Sequence, residues 1–72
     1  MKTAETRREL LRALGELSEE YPDLRLGQMI ANLATLARGP EIEAIWDAGD
    51  DELLRAARQQ INDLRDRRPL AA

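Results

Sequence analysis

Leu24-Arg25-Leu26-Gly27-Gln28-Met29-Ile30-Ala31-Asn32-Leu33-Ala34-Thr35-Leu36-Ala37-Arg38 is the most apolar run of the chain, and it lies at the middle. At a helical period, Leu26, Met29, Ile30, Leu33, Leu36 and Ala37 fall on one arc. Arg25, Gln28, Asn32 and Thr35 fall on a second, polar stripe. The run therefore predicts an amphipathic helix over 24–38, with the rest of the chain as cover for its apolar arc. Its punctuation agrees. Pro22-Asp23 is a turn signal and Asp23 can cap the helix start, while Gly39-Pro40 closes the far end because Pro cannot continue the hydrogen-bond ladder. Gly27 is tolerated early in such a helix where packing is close.

Toward the N-terminus, Leu10, Leu11, Leu14, Leu17 and Tyr21 recur at helical spacing, with most charges off that stripe as a solvated face. This predicts a helix over 3–20, capped by Thr3, with Glu5 suiting the positive end of its dipole. Pro22 disfavours helical geometry at Tyr21 and so ends the helix near Glu20. Gly15 costs that helix about 1 kcal/mol against Ala.

Toward the C-terminus, 41–48 is the least regular part. Ile42, Ile45 and Trp46 are spaced like one helical turn, although the alternation of Ile42-Glu43-Ala44-Ile45 also suits an extended strand. The helical turn is the favoured reading. Gly49-Asp50 opens a third long helix over 50–67, with Asp50 as N-cap and Asp51 and Glu52 complementing the dipole. Its apolar stripe is Leu53, Leu54, Ala57, Ile61 and Leu64; Arg65, Arg67 and Arg68 suit its negative end. Pro69 stops it, leaving 69–72 as a loose tail.

The fold class is all-α: a single small domain over 1–72, of three helices with a short irregular element between the second and third. Leu and Ala dominate the apolar residues, and Val and Phe, which strands favour, are missing. At 72 residues the core is marginal, and with no cysteine and no histidine neither a disulfide nor the usual metal ligands can reinforce it. Small domains of this kind often complete their core by pairing with another chain. The net charge of −3 argues against a general phosphate binder. The first residues lack the apolar segment of a signal peptide and no run approaches membrane-spanning length, so a cytoplasmic protein is expected.

Several constellations invite a sharper reading. Asp47-Ala48-Gly49-Asp50-Asp51-Glu52 resembles a calcium loop, but the spacing fails and helix capping accounts for Asp50 to Glu52. No metal and no cofactor are expected. Without His or Cys, and with Ser18 as a lone serine lacking a base, nothing points to an enzyme. Trp46 reads first as a plug over the open end of the core, flanked by Ile42 and Ile45; its sharper reading is an interface anchor. Arg25, Gln28, Asn32 and Thr35 are residue types that read base edges, and helix 3–20, the turn and helix 24–38 could form a helix-turn-helix. The acidic surroundings weigh against that. A solvent-facing or interface stripe is the plainer reading, and partial burial of Gln28 and Asn32 a third.

Tyr21-Pro22-Asp23-Leu24-Arg25-Leu26-Gly27-Gln28-Met29-Ile30-Ala31-Asn32-Leu33, then Ile45-Trp46-Asp47 and Asp50-Asp51-Glu52-Leu53-Leu54, resembles a group of short bacterial and phage proteins. Their pattern is Arg-x-Gly-Gln-x-Ile-x-Asn, an apolar-aromatic pair, and an acidic run before Leu. No activity is assigned to that group, so the resemblance implies no catalytic residue. It implies that Arg25, Gly27, Gln28, Asn32 and the acidic run belong to one arrangement. The function expected is a non-catalytic interaction or regulatory module that pairs with itself or with a larger bacterial protein. A nucleic-acid binder is the alternative. A homodimer would bury Met29 or Leu36, with Gln28 and Asn32 near the rim; Arg25 and Trp46 complete the candidate contact residues.

Overall fold

A computed structural model describes residues 3–67. Among these residues the chain is all-α: α1 (Thr3–Glu20), α2 (Leu26–Arg38), α3 (Ala44–Asp47) and α4 (Asp50–Arg67). The expected tail at 69–72 and the dipole role of Arg68 lie outside the described residues. The long helices follow the apolar periodicity, except that α2 begins at Leu26 rather than Leu24 and that Leu26 and Leu36 of its expected arc are exposed; the irregular element contains the single helical turn α3.

The organising helix is α4 rather than α2. Both α1 and α2 pack along α4, α3 packs on α2, and α1 and α2 meet little. Ion pairs give the directions. Glu9 pairs with Arg58 and Glu16 with Arg65, so equal steps along α1 and α4 run the same way and these helices are parallel. Arg38 at the end of α2 pairs with Glu52 at the start of α4, 3.0 Å apart, so those two are antiparallel. The long helices thus run up, down and up, with the third between the first two.

The core explains why α4 can hold two partners. It comprises Leu10, Ala13, Leu14 and Leu17 of α1, Met29 and Leu33 of α2, and Leu54, Ala56, Ala57 and Ile61 of α4. Ala57 is fully buried and Ala56 nearly so. Two adjacent alanines on one helix place small side chains about 100° apart. They let helices approach on two sides, each with the dispersion contacts that close packing brings. The sequence stripe missed Ala56 for that reason: alanine contributes little to an apolar pattern, yet it sets how near two backbones come. Leu11, one position on from Leu10, is rotated off the buried face and stands exposed.

Two caps differ from expectation. Asp23 does not cap α2. Leu24 N–H bonds Tyr21 O at 3.1 Å, so Asp23 is used inside the turn, and Arg25 occupies the N-cap. Gln28 Oε1 then reaches back to accept the Arg25 N–H at 3.0 Å. At α4, Gly49 O accepts the first helical bond from Leu53 N–H, which places Asp50 one residue inside the helix. Glu52 Oε1 accepts the Gly49 N–H at 2.8 Å, the reciprocal half of a capping box. Asp50 instead pairs with Arg7 at 2.8 Å. Neither Gly15 nor Gly27 serves close packing, since an added Cβ at either would meet nothing within 4 Å.

A candidate interaction surface on the short helix

The chain leaves α2 through Gly39, whose φ of 104° is a backbone state that side chains resist. Gly39 N–H closes the helix on Thr35 O at 2.7 Å, and a Cβ there would stand 2.9 Å from Glu41 Oε1. The turn then tightens: Ala44 N–H bonds Glu41 O at 3.0 Å, Asp47 N–H bonds Glu43 O at 2.9 Å, and Ala48 N–H bonds Ala44 O at 2.9 Å. This one turn is oriented by its smallest residue. Ala44 is buried where α3 packs on α2, and Ala34 of α2 has no exposed surface. The opposite side of the turn carries Ile42, Ile45 and Trp46, at i, i+3 and i+4. Ile42 and Trp46 are each 91% exposed and Ile45 is half exposed.

The expected plug is therefore absent: Trp46 stands outside the core, and Ile42 and Ile45 with it. An alanine seated on α2 allows a close approach that an indole would prevent. Of the two residues expected at a dimer interface, Met29 is buried within the chain and Leu36 is 48% exposed.

Carboxylates surround the exposed face. Glu41, Glu43 and Asp47 interleave with the apolar residues, and Asp51 follows; all four are exposed. No basic residue lies between Arg38 and Arg55 in the sequence. Arg38 is held by Glu52 through two hydrogen bonds, 3.1 Å to Oε1 and 3.0 Å to Oε2. Glu41, Glu43, Asp47 and Asp51 have no ion-pair partner among the described residues. The Gly49 N–H and, after it, the Arg38 guanidinium hold the Glu52 carboxyl below its ordinary value of 4.5.

The other candidate residues are dispersed. Arg25, Gln28, Asn32 and Thr35 share one exposed face of α2, so Gln28 and Asn32 are not buried polar groups, and the oxygen of Gln28 is engaged in capping. Met29, expected at an interface, is buried in the core of the single chain. Leu36 is 48% exposed and lines a small depression with Arg55, Ala56 and Gln59 of α4, so it lies on a different side of α2 from α3. Arg25 and Gln28 stand at the start of α2, whereas the acidic run adjoins its end through Arg38; the two halves of the quoted pattern are not one cluster.

Beside the short helix, Arg38, Glu41, Glu43, Ala44 and Asp47 line one depression, and two grooves lie farther off. One, of about 250 Å³, opens where α1 and α2 diverge over α4, between Leu17, Tyr21, Leu24, Met29, Asn32, Leu33 and Gln60. The other follows the seam of α1 and α4, where Glu9 already pairs with Arg58 and Glu16 with Arg65. Among the described residues no group of three acidic side chains could hold a metal ion, and no helix is long and apolar enough to cross a membrane. Compared with known proteins, the chain matches no protein-family profile, no curated protein and no solved structure.

Proposed function

We propose that this chain is a non-catalytic interaction module that docks onto a larger protein through Ile42, Ile45 and Trp46. One observation carries the reading. The chain's only tryptophan and an isoleucine are both 91% exposed on the same helical turn, while the core is made of Leu, Ala, Met and Ile. An exposed large apolar cluster rimmed by polar groups marks a contact site, and tryptophan is the side chain most enriched among residues that dominate binding energy. Histidine and cysteine are missing from the sequence, and Ser18 is its one serine.

A photo-reactive phenylalanine analogue placed at position 46, with the same residue at exposed Ser18 as control, tests this in the cell of origin. Irradiation is expected to give a discrete adduct from position 46 that position 18 does not give and that Ile42→Asp removes. Equal labelling from both positions refutes the docking face.

The nucleic-acid alternative keeps one supporting observation, the shared exposure of Arg25, Gln28, Asn32 and Thr35. It is the weaker reading because Arg7, Arg38, Arg58 and Arg65 are already paired with carboxylates. Binding to duplex DNA that weakens steeply with added salt would favour it.

A further inference from the structure

We infer that the partner seated on α3 presents an apolar pocket rimmed by lysine or arginine. This rests on the docking reading above and adds the chemistry of the other side. The turn is convex: Trp46 and Ile42 project from it, while Ala44 is its one buried residue. A projecting aromatic anchor is filled around by a concave partner, since such anchors contribute most when desolvated in a pocket.

Three side chains cannot supply the roughly 800 Å² per partner that a stable contact needs. The contact must spread over the rim, and the rim is Glu41, Glu43 and Asp47. None of these is neutralised by an ion pair among the described residues. Arg38 lines one depression with all three carboxylates, but its guanidinium is bonded to Glu52 at 3.0 Å and pairs with none of them. A partner that brought neutral or acidic groups to this rim would leave desolvated, unpaired carboxylates, which costs binding and steers encounter away. Lysine and arginine remove that cost and draw the partner in.

The same charge argues against a second copy of the chain on this face. A two-fold contact sets a patch against itself. Here it would bring Glu41, Glu43 and Asp47 up to the identical carboxylates, and the cation lining their depression, Arg38, is already bonded to Glu52.

The test uses the cross-linking chain with the photo-reactive residue at position 46. In one variant the rim is neutralised by Glu41→Gln, Glu43→Gln and Asp47→Asn. In a second, the same net charge is removed elsewhere by Glu19→Gln, Asp63→Asn and Asp66→Asn. None of these six carboxylates takes part in an ion pair among the described residues, so both variants are expected to fold, as circular dichroism can verify. The rim variant is expected to lose about tenfold of its adduct yield and the remote variant to keep it, with the loss of the parent adduct steepening as salt is raised. Mass spectrometry of the parent adduct is expected to place the cross-link in a partner segment of net positive charge. An adduct equally strong in both variants, or mapped to a neutral or acidic segment, overturns the inference and leaves the docking face standing. An adduct of twice the chain's own mass overturns it in favour of a homodimer. No adduct specific to position 46 overturns both.

Discussion

Trp46→Ala is the perturbation that separates a docking residue from a core residue by magnitude. A buried tryptophan removes up to ~250 Å² from water. With 91% of its surface exposed, Trp46 has roughly a tenth of that buried, about 20 Å². At ~25 cal/mol per Å², the loss on truncation is about 0.5 kcal/mol. Alanine's better helix propensity returns a few tenths, by roughly the same amount. The expected net change is therefore within about 0.5 kcal/mol, a shift of no more than 2–4 °C in melting temperature for a domain of this size. The core reading predicts something very different, about 3–5 kcal/mol for a tryptophan truncated in a packed interior. Thermal melts followed by far-ultraviolet circular dichroism, with urea titration at the same protein concentration, distinguish the two. A loss above about 2 kcal/mol would show that the indole is packed, and would refute the exposed-face argument with it.

The remaining expectations concern the core, the helices and acid stability. Leu33, 2% exposed at the α2–α4 contact, is expected to cost about 2–5 kcal/mol as Leu33→Ala, leaving much of so small a domain unfolded; a melt within a few degrees of the parent would show that this contact is not the core. Gly15→Ala and Gly27→Ala are each expected to raise stability by about 0.5–1 kcal/mol, because both sites are helical, exposed and open to a Cβ; lower melting temperatures would contradict the packing described. Glu52 has a carboxyl lowered in the folded state, so its charge stabilises the fold above the unfolded value of 4.5 and that contribution fades as pH falls through the lower folded value. Glu52→Gln keeps an oxygen for the Gly49 N–H and removes the charge. It is expected to flatten the rise of stability with pH in that acid window, and an unchanged slope would count against the cap and the Arg38 contact together.

The sequence was legible wherever local chemistry acts alone. The end of α1 follows from Pro22 and the start of α4 from the Gly49-to-Glu52 punctuation, and both agree with the periodicity. Caps were less legible, because several polar residues compete within a few positions. Asp23 and Asp50 are good caps by type, but a turn claims the first and Arg7 the second, and Gln28 and Glu52 reach back instead. The central place of α4 was hidden because it rests on Ala56 and Ala57, whose value is their small size against two neighbours.

The direction in which α3 faces marks where local pattern stops. Ile42, Ile45 and Trp46 were recognisable as one apolar unit, but an apolar unit on a single turn can point inward or outward. What decides is the surface offered by α2. Ala34 of α2 has no exposed surface, and Ala44 is the one buried residue of the α3 turn that packs on α2; so small a side chain allows a closer approach than any of the three large residues could. Packing the alanine commits the opposite side of the turn to water. The charge beside the face is acidic for a local reason, since Glu41, Glu43 and Asp47 lie within one to two residues of Ile42, Ile45 or Trp46 in the sequence and are themselves exposed. Core and candidate face are thus built from different residues: α1, α2 and α4 supply the first, and one turn held by α2 supplies the second. Substitutions at Ile42 and Trp46 are therefore expected to alter the exposed face while the packing of Leu17, Leu33 and Ala57 stays as it is.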